Sequence, residues 1–523
     1  MRTARTGGHR RQRENRNAGR ILLDGESLTV ADVVAVARGF ARVELAPAAR
    51  AGVARAAATL AQLIDQKQVV YGVNTGFGKL YDVVIPPADL RRLQVNLVRS
   101  HSVGVGAPLP PAAVRASMLL RANALAKGYS GISEETLDTL LAMLNLDVLP
   151  VVPAQGSVGA SGDLAPSAHI ALALIGEGDA TYRGHRMPAR LALQEAGLSP
   201  VELGPKEGLA LLNGTATMTG IGALTLADAA TLVKAADIAA ALTFEALHAD
   251  PNVLDARVHK LRPHRGQMES AANLRSLLEG SEVYDRKPCE VQDPYSLRCA
   301  PQVHGAARDA LRYARGVVET EMNSANDNPL VFPAEGDVVC AGNFHGEPVA
   351  MALDFAAIAL AEVASVAERR VDRLLSGSYA GLPRFLTRHG GLNSGLMLVQ
   401  YTAAALVSEN KVLASPASVD SIPTSAGQED HVSMGTIAAR KAQDVLANSR
   451  RVVATELLAA AQALDLRGPT RLGLGTTIAR EAVRRRVAEV GEDRPLAPDI
   501  EALAKALAAG AIVAEVEAAM QLA

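Results

Sequence analysis

Residues 156–166 read GSVGASGDLAP, and this glycine-rich stretch is the most informative part of the chain. Gly159 and Gly162 bracket Ala160 and Ser161, and glycine adopts backbone conformations that other residues avoid. The backbone can therefore fold back so that the Gly162 amide nitrogen reaches the Ala160 carbonyl carbon. Ring closure would release one water, and loss of the Ser161 hydroxyl would release a second, leaving an exocyclic methylidene. That product is an electrophile, which standard side chains lack and which other enzymes take from a cofactor.

An isolated Ala-Ser-Gly triplet is, by contrast, most often a simple turn. A second alternative is a serine hydrolase with Ser161 as nucleophile. The stretch Gly159-Ala160-Ser161-Gly162 lacks the G-x-S-x-G elbow of that class, because residue 163 is Asp163. Features elsewhere in the sequence are therefore needed to distinguish a simple turn from a ring-forming triplet.

Composition favours a globular, mainly helical enzyme. The chain has 523 residues, of which 49% are hydrophobic and 21% charged, with a formal net charge of −2. This balance gives no bulk positive charge for nucleic acid. Alanine and leucine are abundant and favour helix. No run of about 18 uncharged apolar residues is present, so we expect no membrane span.

Cysteine usage indicates a reducing compartment. Cys289, Cys299 and Cys340 are odd in number and lack CxxC spacing. We therefore expect reduced thiols, a cytoplasmic location and no metal site.

The first twenty residues, MRTARTGGHRRQRENRNAGR, are rich in arginine and have no apolar run. They cannot serve as a secretory signal. We expect residues 1–20 to be a disordered extension or the product of a wrongly chosen start codon, with a basic nucleic-acid arm as the alternative.

Apolar residues recur three and four apart over many long segments, which predicts helices. These segments are 48–66, 111–127, 133–148, 205–250, 303–323, 346–375, 395–413 and 433–465. Minor hairpins are expected at 182–186 and 331–339. No βαβ alternation accompanies the other glycine pairs, so a dinucleotide-binding fold is disfavoured. We expect a long-helix bundle core at 213–523 with a smaller N-terminal domain at 21–212 that carries the Ala-Ser-Gly loop.

Four further sets of residues accompany the loop in order along the chain. They are YGVNTGFG at 71–78; NLVRSHSVG at 96–104; NGT at 213–215 with VQDPYSLRC at 291–299; and NFH at 343–345 with SENK at 408–411 and QEDH at 428–431. With the loop, they resemble the aromatic amino-acid ammonia-lyases, and the resemblance runs from about residue 25 to the C-terminus. The resemblance is strongest to the members of the family that act on histidine.

The resemblance implies a prosthetic group, methylidene-imidazolone, formed autocatalytically from Ala160, Ser161 and Gly162. It implies that Asp163 assists ring formation. It also implies a homotetramer whose active sites draw residues from several subunits. We expect the long apolar faces of 346–375 and 433–465 to pack across those subunits.

The resemblance further assigns roles to single residues. Tyr71 matches the catalytic base, although an unperturbed phenol has a pKa near 10 and needs a positive environment, such as helix N-termini, to act at neutral pH. His101, in the Ser-His pair, matches a substrate-pocket residue of the histidine-acting members. Arg298 matches the anchor of the substrate carboxylate, which an arginine can bind bidentately.

The remaining expected site residues surround the ring and the substrate. Asn213, Gln292, Tyr295 and Phe344 match pocket residues of the family. Glu409 matches an active-site acid of the histidine-acting members, where phenylalanine-acting members have glutamine. A carboxylate can partner an imidazole, whereas a benzene ring offers it no hydrogen bond.

The expected activity is therefore non-oxidative elimination of ammonia from L-histidine to give trans-urocanate. Segments 323–328 and 217–220 look more like members that act on tyrosine. A tyrosine or phenylalanine ammonia-lyase and a tyrosine 2,3-aminomutase thus stay open as alternatives. A non-catalytic helical scaffold is a further alternative, which the presence of Tyr71, Ser161 and Arg298 disfavours.

Overall fold

Helices dominate the computed structural model, as the composition predicts. The structure describes residues 19–288, 290–377 and 379–523. Most of the Arg-rich segment 1–20 and the expected free thiol of Cys289 lie outside the described residues.

The helices are numbered in chain order over the described residues. They are α1 (Val30–Ala37), α2 (Pro47–Asp65), α3 (Leu90–His101), α4 (Pro111–Ala126), α5 (Glu134–Leu146), α6 (Leu164–Leu174), α7 (Ala189–Glu195), α8 (Glu207–Leu212), α9 (Ala216–Leu247), α10 (Ala256–Lys260), α11 (Arg265–Leu277), α12 (Tyr295–Arg298), α13 (Ala300–Met322), α14 (Glu347–Leu375), α15 (Met397–Leu413), α16 (Gly435–Arg467), α17 (Leu474–Arg484), α18 (Ala497–Ala508) and α19 (Ala511–Glu517).

The strands are short and form small separate sheets. They are β1 (Arg20–Leu23), β2 (Arg42–Leu45), β3 (Val105–Pro108), β4 (Leu149–Pro150), β5 (Pro153–Gln155), β6 (Asp179–Tyr182), β7 (His185–Pro188), β8 (Leu330–Phe332) and β9 (Asp337–Val339). β1 pairs with β2 in parallel, whereas β3–β5, β4–β6–β7 and β8–β9 are antiparallel. The two hairpins expected from the sequence, β6–β7 and β8–β9, are confirmed.

Two compact units emerge from the packing of the chain. Of the described residues, those up to Ala227 and those within Arg315–Leu353 and Pro416–Arg440 form unit 1, and those within Asp228–Ala314, Asp354–Ser415 and Lys441–Ala523 form unit 2. Each unit therefore draws on separate stretches of chain. The contiguous domains expected at 21–212 and 213–523 stay a prediction.

Local sequence signals explain where the helices begin. The hydroxyl of Ser133 accepts a hydrogen bond from the Thr136 amide at 3.2 Å and so caps α5, as its Ser-Glu-Glu start predicts.

The expectation of one helix over 205–250 is wrong in one respect, because α8 and α9 are separated at residues 213–215. Asn213 is extended and Gly214 has a φ of +132°, so the helix cannot continue there.

Each unit has its own core. In unit 1, α4 is buried along nearly its whole length, from Ala113 to Ala126. In unit 2 the helices enclose an ion pair between Arg370 and Glu456, both 0% exposed, with Nε and Oε1 2.5 Å apart. Thr243 donates a further hydrogen bond to Glu456 at 2.9 Å, so the buried carboxylate is well partnered.

Two helices, α9 and α14, are long and apolar enough to cross a membrane by length and composition alone. In their most apolar windows, 78% and 67% of the residues are buried within the protein. Burial of this kind is typical of core helices in a folded protein.

Candidate active site

The loop 156–166 leads directly into α6 and contains two glycines in the left-handed region. Gly159 has a φ of +71° and Gly162 a φ of +74°. A Cβ on Gly162 would lie 2.2 Å from the carbonyl oxygen of Gly214, and one on Gly159 would lie 2.2 Å from Ser433 Oγ. Both positions therefore require glycine for backbone conformation and for space.

Backbone hydrogen bonds fix the Ala-Ser-Gly triplet against the break between α8 and α9. Gly162 and Gly214 form a parallel β-bridge. The Gly214 amide donates to the Ser161 carbonyl at 3.1 Å, and the Asp163 amide donates to the Gly214 carbonyl at 2.7 Å. The triplet is thus held from the side that faces Gly214.

The segment before α16 holds the other side of the loop. The Met434 amide donates to the Val158 carbonyl at 2.9 Å, and Ser433 Oγ donates to the Gly159 carbonyl at 3.2 Å. Ala160 packs with Val432 and Met434 in a small apolar cluster. Ala160 and Ser161 are consequently presented on a rigid support.

Asp163 is fully buried directly after the triplet. Its Oδ2 accepts hydrogen bonds from the amides of Thr217 and Met218, both at 2.8 Å, in the first turn of α9. Thr436 Oγ1 donates to its Oδ1 at 2.5 Å. Burial raises the pKa of Asp163 to about 6, although these hydrogen bonds act in the opposite direction. The free amides at the N-terminus of α9 therefore donate their hydrogen bonds to the carboxyl of Asp163.

A cavity of about 1110 Å³ in unit 1 collects half of the expected site residues. Its lining includes Ala160 and Ser161 together with the expected residues Tyr71, His101, Asn213 and Phe344. Residues 425–431, which contain the QEDH segment, line the same cavity.

Tyr71 is held in this cavity by its neighbours in sequence. Val70 and Val73 are buried in an apolar cluster with Leu60 of α2 and Val331 of β8. The phenol oxygen accepts a hydrogen bond from the Gly78 amide at 3.1 Å. Burial raises the pKa of Tyr71 despite this bond. The environment that unit 1 gives the phenol therefore favours its protonated form.

His101 is the last residue of α3, and its Nδ1 lies 3.0 Å from Ser100 Oγ. Burial lowers the pKa of His101, with a smaller opposing effect from the nearby Glu429 carboxylate. The imidazole is therefore mainly neutral at pH 7, with one nitrogen able to accept and the other able to donate.

Asn213 follows α8 at the helix break and also lines the cavity. Its Nδ2 donates to the Asn328 carbonyl at 2.9 Å. This bond fixes the side-chain amide next to the triplet.

Four of the remaining expected residues belong to unit 2 and do not line this cavity: Gln292, Tyr295, Arg298 and Glu409. Arg298, on the short helix α12, stacks its guanidinium 4.8 Å from the centre of the Tyr295 ring. Tyr295 is 71% exposed, and Gln292 and Glu409 are exposed as well. These polar groups are therefore free to contact a substrate or another chain.

The triplet fits the prosthetic group implied by the resemblance. Ring closure needs a sharp backbone reversal with no Cβ at residue 162, and the φ of Gly162 and its close approach to Gly214 meet that need. The chain supplies every atom of the ring. Among the described residues, no group of three or more His, Cys, Asp or Glu side chains could hold a metal ion.

Sequence reasoning missed several residues around the triplet. Ser157 and Thr436 lie 2.9 Å apart through their hydroxyl oxygens, close to Asp163, and Arg121 donates to the Asn213 carbonyl. Cys340 lines the cavity and is a free thiol, like the half-buried Cys299. These contacts join residues far apart in sequence, so no local motif could indicate them.

Comparison with known proteins shows the family of this chain. The family model for aromatic amino acid lyase matches residues 28–485. The chain is 57% identical to a histidine ammonia-lyase of Symbiobacterium thermophilum, over 94% of this chain and 98% of that protein. It is 54% identical to a histidine ammonia-lyase of Alkaliphilus oremlandii, over 96% and 99% of the two chains.

Two solved structures are similar over nearly the whole chain. The histidine ammonia-lyase of Trypanosoma cruzi has a TM-score of 0.89 and 44% identity, covering 95% of each chain. The tyrosine aminomutase of Streptomyces globisporus has a TM-score of 0.93 and 40% identity, covering 96% of this chain and 100% of that one. On the matched family model, the identities and the shared fold, this chain belongs to the aromatic amino acid lyase family.

Proposed function

We propose that this chain is a carbon-nitrogen lyase that eliminates ammonia from L-histidine without oxidation and releases trans-urocanate. The observation that carries the proposal is the unit 1 cavity, which Ser161 and Tyr71 line together. Full-length identities of 57% and 54% to histidine ammonia-lyases support histidine as the substrate.

Ala160, Ser161 and Gly162 are the residues that we propose form methylidene-imidazolone. This group would supply an electrophile that makes the substrate nitrogen a better leaving group. Asp163 and Gly214 hold the triplet, through the contacts at the start of α9 and across the Gly162–Gly214 bridge.

We assign Tyr71 the removal of the weakly acidic β-proton of the substrate. Because burial raises the pKa of this phenol, only a small fraction is ionised at neutral pH. The assignment therefore predicts that kcat/KM increases with pH above neutrality as the phenolate population grows. Asn213 and Phe344 would border the substrate, and His101 would hydrogen-bond the imidazole.

Arg298 would hold the substrate carboxylate, helped by Gln292 and Tyr295, while Glu409 would partner the substrate imidazole. We propose that these unit 2 residues complete the site in a cytoplasmic homotetramer. The exposure of Gln292, Tyr295 and Glu409 supports a role in contacts beyond their own unit. The substrate is a small amino acid, and neither nucleic acid nor membrane has a part in the reaction.

The direct test is to incubate the purified protein separately with L-histidine, L-tyrosine and L-phenylalanine and to record the ultraviolet absorbance of the conjugated acids. We expect fast formation of trans-urocanate with stoichiometric ammonia, and little product from the other two. Ser161→Ala is the matched control, since it keeps the loop but cannot form the methylidene. Equal rates for this variant and the wild type would exclude the proposed chemistry.

A tyrosine 2,3-aminomutase is the second candidate, because the solved tyrosine aminomutase has a TM-score of 0.93 to this chain. Such an enzyme would return the ammonia to the β carbon. Accumulation of β-tyrosine in the same assay would favour it over the lyase.

A further inference from the structure

Arg121, on α4, is a buried cation with few partners. Its side chain is 3% exposed, and Nη1 donates to the carbonyl oxygen of Asn213. Nε and Nη2 have no hydrogen-bond partner among the described residues. Burying a guanidinium with two unpartnered nitrogens is costly, so stability alone does not explain why it lies here.

In residues 19–288, 290–377 and 379–523, no carboxylate is paired with the guanidinium of Arg121 alone. Asp327 is the anion that acts on Arg121, but its Oδ2 is already paired with Lys206 Nζ at 2.7 Å. Lys206 and Asp327 are 0% and 1% exposed. Glu321 is engaged by Thr215 and Asn326, and its burial raises its pKa.

The one hydrogen bond that Arg121 makes within the described part of the chain leads to the Ala-Ser-Gly triplet through one peptide group. Arg121 donates to the carbonyl of the peptide that joins Asn213 to Gly214, and the amide of that same peptide donates to the Ser161 carbonyl at 3.1 Å. Hydrogen bonds in series polarise one another, more strongly when water is excluded. The charge of Arg121 is therefore transmitted to the Ser161 carbonyl oxygen.

Ring formation requires protons to leave positions next to that carbonyl. In the first step the Gly162 nitrogen bonds to the Ala160 carbonyl carbon, and the Ala160 oxygen leaves as water with the protons of the Gly162 and Ser161 amides. In the second step Ser161 loses its Cα proton and its hydroxyl as another water. A polarised Ser161 carbonyl makes both the Gly162 N–H and the Ser161 Cα–H more acidic. No other reactant is needed.

We propose that Arg121 is a positioning residue for maturation of the enzyme, which acts on the Ser161 carbonyl through the 213–214 peptide and accelerates ring formation. The proposal rests on the ring formation proposed above. Arg121 touches neither the substrate nor the reacting atoms.

Arg115 provides a matched control on the same helix. It is also 3% exposed, but its guanidinium donates to the carbonyls of Val36 and Leu144 and pairs with Asp147 at 2.8 Å. This arginine is fully partnered and its contacts are remote from the triplet. Its replacement reports what the loss of a buried arginine on α4 does to folding in general.

The test follows maturation by the intact mass of the full chain after cell-free synthesis, with samples quenched in denaturant over time. The wild type should become lighter by two waters. Arg121→Met should do so at least about tenfold more slowly, by comparison with the loss of a donor to a developing oxyanion. Arg121→Lys, which keeps the charge, should mature at an intermediate rate, and Arg115→Met should mature like the wild type.

The outcomes separate this proposal from the proposed function. A wild type that loses two waters together with an Arg121→Met variant that does so at the same rate overturns the role of Arg121 and leaves the ring intact. Equal slowing in Arg115→Met and Arg121→Met also overturns it, since general loosening would explain both. A wild type that never loses two waters overturns ring formation itself. If Arg121→Met is insoluble, Arg121→Lys decides, and maturation at the wild-type rate counts against the proposal.

Discussion

The buried carboxyl of Asp163 connects the loop 156–166 to the start of α9 and to Thr436. Its pKa is raised to about 6 because burial outweighs three hydrogen bonds to the carboxylate. The folded state therefore holds this proton more tightly than the unfolded chain, in which the pKa is near 3.8. The stability that this group contributes is fully present below about pH 4 and is lost as the pH rises through about 6.

Asp163→Asn should abolish this pH dependence while keeping the local hydrogen bonds. The amide oxygen can still accept from Thr217 and Met218, and the amide nitrogen can donate to Thr436. We expect the free energy of unfolding of the wild type, relative to the variant, to fall by up to about 3 kcal/mol between pH 4 and 7. Urea unfolding at several pH values measures this, and a difference that stays constant or grows with pH contradicts the assignment.

We expect substrate specificity to depend on His101 and Glu409. If His101 and Glu409 both hydrogen-bond the substrate imidazole, their polar atoms would be left unpartnered by phenylalanine. His101→Leu and Glu409→Gln should each lower kcat/KM for histidine by about a hundredfold. Residual turnover of tyrosine or phenylalanine should fall much less.

Steady-state kinetics with the three amino acids tests this pair of variants. A tyrosine-acting enzyme would use His101 for the phenol hydroxyl, so Glu409→Gln would then have little effect. Faster turnover of tyrosine than of histidine by the wild type would contradict the specificity proposed here.

Some residues of the cavity could be predicted from sequence because they lie in contiguous motifs. Tyr71, His101, Ser161 and Phe344 were all expected, and the structure brings them to one cavity. Arg121 could not be predicted, because it stands out only by its Nε and Nη2, which have no hydrogen-bond partner among the described residues. No sequence pattern indicates such a feature. To act as a base at neutral pH, Tyr71 needs a positive environment such as helix N-termini, whereas burial within unit 1 raises the pKa of its phenol.

The short helix α12 depends on a buried carboxylate for its position. Asp293, 4% exposed and one residue before Pro294, accepts the Asp250 amide at 2.6 Å and the hydroxyl of Tyr379. Arg370 also donates to the Ser296 carbonyl, at 3.3 Å. These contacts fix the segment that carries Arg298.

Asp293→Ala should loosen this segment, since the Asp250 amide and the Tyr379 hydroxyl then lose the carboxylate that accepts their hydrogen bonds. We expect KM for histidine to rise about tenfold with kcat nearly unchanged, because an unsatisfied buried donor costs on the order of 1–3 kcal/mol. Tyr379→Phe removes one donor and should give a smaller rise. A fall in kcat at constant KM would place Asp293 in a different role.

Helix periodicity predicted the long helices well, since each has an extended apolar stripe. It failed at residues 213–215, where the flanking sequence stays alanine-rich and apolar on both sides. The break is imposed by tertiary contacts, namely the Gly162–Gly214 bridge and the capping of α9 by Asp163. A single-sequence pattern contains no information about such long-range partners.

Large apolar side chains are exposed in unit 2, which indicates that copies of this chain associate. On α14 and α15 the exposed fractions are 42% for Phe355, 41% for Ile358, 58% for Leu398, 64% for Tyr401 and 75% for Val412. Clustered exposure of large apolar side chains is typical of an interface. By contrast, much of the apolar surface of α16, expected to pack across subunits, is already buried within the chain; Val453 and Leu457 are 0% exposed.

Light scattering at micromolar concentration should therefore show a tetramer. Leu398→Glu combined with Tyr401→Glu should dissociate it and reduce activity severely, because charged groups would be buried at the interface. Circular dichroism should show unchanged helix content, since both side chains are exposed in the single chain. A stable and fully active wild-type monomer would contradict shared active sites.

The mass of the wild-type protein, intact and after digestion, shows directly whether the ring forms, when it is measured on a preparation of known activity. If Ala160, Ser161 and Gly162 form the electrophile, the mass is two waters below that of the translated sequence, and the deficit lies in the peptide containing residues 160–162. Ser161→Ala should lack the methylidene and nearly all turnover, with its fold retained. A fully active wild type with no mass deficit would contradict the account.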